Sequence, residues 1–123
     1  MTTILIVDDS TTMRTMVRRA LEDDRHRVIE AAHGAAALAA VEHAQPDLII
    51  TDLLMPGMNG IALTRALRAD DRFRTVPILV LTTEGTDLMK EQGRQAGATG
   101  WLTKPFDPDT LRRTVRRVLE PAA

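Results

Sequence analysis

Short apolar runs alternate along this chain with longer segments of helical period, and that alternation predicts the architecture. Thr3-Ile4-Leu5-Ile6-Val7 is apolar and β-branched throughout, as expected of a central strand covered on both faces. Met13, Met16, Val17, Ala20 and Leu21 then recur at i, i+3, i+4, i+7 and i+8, the stripe of a helix lying on a sheet, with Ser10 or Thr11 able to cap its start. The pattern repeats. Arg27 to Ala31 predicts a second strand, and Gly34 opens an alanine-rich helix with Leu38 and Val41 facing inward. Asp47 to Asp52 predicts a third strand behind Pro46. Ile61, Leu63, Ala66 and Leu67 mark a third helix, followed by a charged loop through Asp70, Asp71 and Arg72.

Pro77 opens a fourth strand, Ile78 to Leu81. The helix expected next, about Asp87 to Ala96, is a poor one: Gly93 lies inside it, at a cost of about 1 kcal/mol relative to alanine, and Leu88 and Met89 give it a thin apolar face. It should be the least firmly held element. A short fifth strand, Trp101-Leu102-Thr103, ends in Lys104-Pro105. The last helix has the clearest pattern, with Asp107 as cap, Pro108 in its first turn, and Leu111, Val115, Val118 and Leu119 on one stripe. Arg112, Arg113, Arg116 and Arg117 fall on its other side, as a solvated face or one that helps a partner dock. Parallel neighbours need crossovers, and here the crossovers are helices, so the fold class is α/β, a doubly wound five-stranded parallel sheet.

Polar residues gather at one end of the predicted strands. Asp8 and Asp9 end the first, Asp52 the third, Thr82 the fourth, and Lys104 follows the fifth. In open α/β sheets ligands bind beyond the carboxyl ends of the strands, so these residues form the candidate site. A carboxylate leaving an apolar run is costly unless something pairs with it. Clustered carboxylates repel one another, and a hard divalent cation with oxygen ligands relieves that repulsion; Mg2+ suits the set because it keeps positions open for water and phosphate oxygens. An ammonium group and a hydroxyl beside it are suited to phosphoryl oxygens, with a carboxylate as nucleophile.

Composition narrows the picture further. The chain has 123 residues, enough for one domain spanning 1–123. Its 16 basic and 17 acidic side chains give a net charge of −1, which argues against nucleic acid or an anionic membrane as partner. Without cysteine there is no disulfide framework, thiolate metal site or cysteine nucleophile. His26, His33 and His43 fall on predicted loops or helix flanks and read as surface residues. No run approaches the ~20 apolar residues of a membrane span, and Met1-Thr2-Thr3 leads directly into a strand, so a soluble, cytoplasmic protein is expected.

Six pieces of the chain together resemble the response-regulator receiver family, and its single-domain chemotaxis members in particular. They are Val7-Asp8-Asp9-Ser10, Thr51-Asp52-Leu53-Leu54-Met55-Pro56, Gly60, Leu81-Thr82-Thr83-Glu84, Gly97-Ala98 and Lys104-Pro105-Phe106. The resemblance implies the flavodoxin-like strand order 2-1-3-4-5. It implies that Asp52 accepts a phosphoryl group from a histidine kinase, and that Asp8, Asp9, Asp52 and the backbone carbonyl of Leu54 serve the Mg2+ site. By the same resemblance Lys104 and Thr82 contact the phosphoryl group, the Lys104-Pro105 peptide is cis, and Thr82 and Trp101 form the switch pair. Trp101 stands where tyrosine or phenylalanine is usual. The implied output surface is the fourth helix, fifth strand and fifth helix.

The resemblance implies a monomeric signalling phosphoprotein, not a turnover enzyme. Two partners are open for its output: a flagellar motor switch protein in chemotaxis, or a histidine phosphotransfer protein in a phosphorelay. An aspartyl-nucleophile phosphohydrolase is disfavoured because the position two residues after Asp52 is Leu54 and not a second acid. A flavodoxin-type phosphate loop is disfavoured by Asp8 and Asp9. No output domain is expected after Glu120-Pro121-Ala122-Ala123. By the same resemblance, the positions that tune dephosphorylation are Leu54, Thr83 and Glu84. Compared with the chemotaxis members, Leu54 stands where a polar residue can orient water and Thr83 where a smaller residue is usual, so slow dephosphorylation is expected.

Overall fold

Side chains along β1 (Thr2–Val7) point alternately to two cores, and this explains why its run is apolar without interruption. Ile4 and Ile6 enter one cluster with Val17 and Leu21 of α1 (Thr11–Glu22) and Leu111 and Val115 of α5 (Pro108–Leu119). Leu5 and Val7 enter the other, with Ala37 and Val41 of α2 (Gly34–His43) and Leu63 and Leu67 of α3 (Gly60–Arg68). The remaining strands are β2 (His26–Ala31), β3 (Leu48–Thr51), β4 (Ile78–Thr82) and β5 (Gly100–Thr103), with α4 (Asp87–Ala96) between the last two. This computed structural model describes residues 2–22, 26–83 and 85–120.

All pairings are parallel and the strand order is β2-β1-β3-β4-β5, as the resemblance implies. The chain reverses its direction of travel across the sheet after β2, leaving the crevice of the doubly wound fold at the ends of β1 and β3. Ser10 Oγ accepts from the Met13 amide (3.1 Å), so Ser10 is the cap of α1. Asp107 caps α5 through the Thr110 amide, with Pro108 in the first turn.

Several expectations need correction. Met16 is 47% exposed, because the α1 stripe that meets the sheet is narrower than its apolar residues suggest. His26 is half-buried within β2, not on a loop. Asp47 precedes β3, where its carboxylate accepts from the Thr3 amide at 2.9 Å, and Asp52 lies just past the strand's end. The charged loop after α3 contains a single 3-10 turn, Asp71–Phe73, which buries Phe73 in the second core. Arg112 is half-buried and donates to the Ala20 carbonyl of α1 (3.2 Å), so it belongs to the α1–α5 contact and not to a solvated face.

Gly93 has a packing role the helix pattern does not suggest. A Cβ there would lie 2.9 Å from Cζ3 of Trp101, so the missing side chain is the space the indole occupies. Leu88 is 67% exposed, in keeping with the thin apolar face of α4, and Thr86 caps the helix through the Met89 amide.

Candidate functional site

The β1 exit carries a carboxylate whose polar groups are all engaged. The Asp8 amide donates to the Ala31 carbonyl (3.1 Å), Oδ1 accepts from the Ser10 amide (2.9 Å) and Oδ2 from Lys104 Nζ (2.8 Å). Arg14 Nη1 donates to the Asp8 carbonyl at 2.6 Å. Asp8 is buried, as a strand-end group surrounded by donors can be. Asp9 follows it into solvent.

Asp52 sits one strand over, its amide donating to the Val7 carbonyl at 2.8 Å, which ties the β3 exit to the end of β1. Its Oδ1 accepts from the Leu53 amide (2.8 Å), and Oδ2 lies 3.4 Å from Lys104 Nζ. Burial pushes the Asp52 carboxyl above the ordinary aspartate range; the Lys104 ammonium opposes that rise and the neighbouring Asp8 charge adds to it. Leu53 is buried against Ile61 and Val80, and its apolar anchor holds the turn that carries Asp52.

Lys104 reaches the site from the far side of the sheet. Its amide donates to the Thr82 carbonyl (2.9 Å), continuing the pairing of Thr82 with Thr103, and its peptide bond to Pro105 is cis. The ammonium therefore neutralises two buried carboxylates, and Thr82, itself buried, ends the adjacent strand.

The close approach of α3 completes the site's frame. The Gly60 amide donates to the Leu53 carbonyl (2.8 Å), and a Cβ on Gly60 would stand 2.3 Å from the Asp52 carbonyl oxygen. Only glycine allows the helix start this near to the β3 exit. The sequence pattern alone gives no reason for a glycine at position 60. Nor does it single out Arg14, whose only local signal is its place one turn into α1, four residues before Arg18.

One carboxylate oxygen from each of Asp8, Asp9 and Asp52 can be chosen so that all three lie within 4.8 Å of one another. Three hard oxygen donors, without histidine or thiolate, suit a hard divalent cation such as Mg2+. Leu54 is exposed beside the site, 52% accessible, and Thr83 is also exposed. Glu84 lies outside the described residues. Trp101 packs over Gly93 on the α4 side of β5, its Nε1 buried without a hydrogen-bond partner among the described residues. No helix among the described residues is long and apolar enough to cross a membrane.

Comparison with known proteins follows the same outline. The family model for the response regulator receiver domain matches residues 4–116. The chain is 38% identical over 119 residues to protein PilH of Pseudomonas aeruginosa, covering 97% of this chain and 98% of that one. Among solved structures it is similar to chemotaxis protein CheY4 of Vibrio cholerae, with a TM-score of 0.92, 45% identity, and 96% and 98% of the two chains covered. It also resembles the receiver domain of a sensor histidine kinase from Pseudomonas aeruginosa, solved with a magnesium ion coordinated in its active-site cleft. There the TM-score is 0.87 and the identity 32%, over 96% and 97% of the two chains.

Proposed function

The chain belongs to the response regulator receiver domain family, and from that premise we propose that Asp52 is the phosphoacceptor of a two-component signalling protein acting in chemotaxis. A histidine kinase is the donor: the P–N bond of its phosphohistidine breaks as an Asp52 carboxylate oxygen bonds to phosphorus. The observation that carries the reading is the Lys104 ammonium, 2.8 Å from Asp8 and 3.4 Å from Asp52, at the carboxyl ends of the strands. It is the cation a transferring phosphoryl group needs beside its acceptor.

Asp8, Asp9, Asp52 and the Leu54 carbonyl would hold Mg2+, which when bound shields the negative charge that gathers on the phosphoryl oxygens. The chain's own residues do the rest. Lys104 trades its carboxylate contacts for the phosphoryl group, and Thr82 offers its hydroxyl from the end of β4. Phosphorylation adds charge and acceptor oxygens at Asp52, and drawing in Thr82 and Lys104 biases the β4–α4 segment, Trp101 and the surface formed by α4, β5 and α5. Through that surface the protein would meet a flagellar motor switch protein. The resemblance to a chemotaxis protein supports this target over a histidine phosphotransfer protein.

Incubation with acetyl phosphate and Mg2+ tests the acceptor. The wild type should gain one phosphoryl group by intact mass and Asp52→Asn none; labelling of the variant to the wild-type level would overturn the assignment. In the same assay Leu54→Asn should shorten the phosphoryl lifetime, because an amide there can orient the attacking water while the leucine cannot. Equal lifetimes would exclude Leu54 as a tuning residue. A phosphotransfer panel of histidine kinases, then capture of purified motor-switch and phosphotransfer proteins by the phosphorylated chain, separates the two targets.

A further inference from the structure

A set of contacts behind the β1 exit has no part in the chemistry above. Arg14 keeps its side chain largely inside, 15% exposed, and divides its guanidinium among three segments. Nη1 donates to the Asp8 carbonyl (2.6 Å), Nη2 to Thr11 Oγ1 (3.2 Å) and Nε to a Glu30 carboxylate oxygen on β2 (3.1 Å). Glu30 is held in turn by Arg18, whose Nη2 and Nε lie 2.6 and 3.0 Å from its other oxygen. Hydrogen bonding from Arg18, with a further contribution from Arg14, keeps the Glu30 carboxyl below its ordinary range.

One guanidinium thus joins the two ends of the segment from residue 8 to residue 11, and β2 anchors the guanidinium. Between those ends stands Asp9, exposed and with no hydrogen bond to its carboxylate among the described residues. Asp8 is aimed by four partners, whereas the direction of Asp9 depends on the backbone on either side of it.

We propose that Arg14, anchored by Glu30, is a positioning residue for divalent-cation binding: by stapling Asp8 to Thr11 it holds the Asp9 carboxylate toward Asp8 and Asp52. This rests on reading the acidic cluster as a Mg2+ site. Mg2+ demands near-ideal octahedral geometry, so drift of the backbone that carries a ligand weakens binding sharply, and partners behind the ligands typically carry 10–100-fold in affinity. The charge of Arg14 acts in the opposite sense. A guanidinium near the cluster repels a cation, so if charge alone mattered its removal would tighten binding.

The opposed signs make the test decisive. Isothermal titration of the full chain with MgCl2 should show binding weakened about tenfold in Arg14→Gln. Arg14→Lys keeps the charge but loses the fork, and should be weakened comparably. Glu30→Ala, which releases the anchor and leaves Arg14 in place, should also weaken binding. Unchanged affinity in Arg14→Lys with unchanged or tighter binding in Arg14→Gln would overturn the proposal in favour of simple charge. Unchanged affinity in all three with a lowered Tm would overturn it in favour of a stability role. Asp9→Asn tests the premise separately: if it binds Mg2+ as the wild type does, the metal reading fails and the positioning role with it.

Discussion

Gly60→Ala should destabilise the protein by about 3 kcal/mol, a fall in Tm on the order of 10 °C for a domain of this size. The added Cβ would lie 2.3 Å from the Asp52 carbonyl oxygen and 3.1 Å from the Leu53 Cα, and both are backbone atoms with no rotamer through which to escape. Relief requires the start of α3 to move away from the β3 exit, stretching the 2.8 Å bond from the Gly60 amide to the Leu53 carbonyl. Because Leu53 anchors the turn that carries Asp52, phosphoryl incorporation should fall together with stability. Thermal unfolding checks the first effect and acetyl phosphate labelling the second. A variant that melts with the wild type would show that the helix start yields freely, contrary to the geometry.

The second large effect concerns Lys104. Its side chain is 9% exposed, and it is the only cation that the described structure pairs with Asp8 and Asp52. Lys104→Met leaves two buried carboxylates facing each other, and removing one partner from a buried ion pair typically costs 3–5 kcal/mol; we expect about 3 kcal/mol in EDTA. Two rescues follow from the cause. Mg2+ should raise the Tm of the variant more than that of the wild type, since the cluster then binds cation without a competing ammonium. Combining the substitution with Asp52→Asn should restore part of the loss, and Asp52→Asn alone should stabilise the metal-free protein by removing one of two like charges.

Acid should narrow the same gaps. The folded Asp52 carboxyl lies above its unfolded value of 3.8, so the folded state binds that proton more tightly. The ionised carboxylate therefore costs stability at neutral pH, and the cost is relieved as pH falls through the folded value toward 3.8. The advantage of Asp52→Asn in EDTA should shrink over that window. Carboxyls held low by arginines, such as Glu30, lose stability in acid in both proteins and cancel in the difference. Differential scanning calorimetry of wild type, Lys104→Met and Asp52→Asn between neutral pH and pH 4, with and without Mg2+, measures all of these effects. A Lys104→Met variant as stable as the wild type in EDTA would mean that solvent already screens the pair.

How much of this was legible in the sequence varies with the range of the interaction concerned. Strand and helix existence followed from period, because an element that buries one or two faces must repeat its apolar residues accordingly. The gathering of Asp8, Asp9, Asp52, Thr82 and Lys104 was legible because parallel strands all point one way, so residues at their ends meet whatever their separation in sequence. The cap of α1 was narrowed to two hydroxyls, since capping is local.

Other features depended on contacts that periodicity does not encode. Gly93 reads from sequence as a defect in a poor helix, yet the packed molecule fills its missing side chain with the Trp101 ring. Met16 fits the α1 stripe but faces solvent, because the width of the buried face is decided by where the helix lies on the sheet. Arg112 leaves the predicted solvated face to reach the Ala20 carbonyl, a partner 92 residues away in sequence. Sequence by itself determined the alternation of strands and helices along the chain, the parallel sheet and the five residues at its carboxyl end, because these rest on local period and on the direction of parallel strands; the order of the strands within the sheet came from the family resemblance. Only the tertiary structure decided which polar atoms Asp8, Lys104 and Arg14 engage and how near α3 comes to Asp52, since those depend on distances between segments that no local pattern specifies.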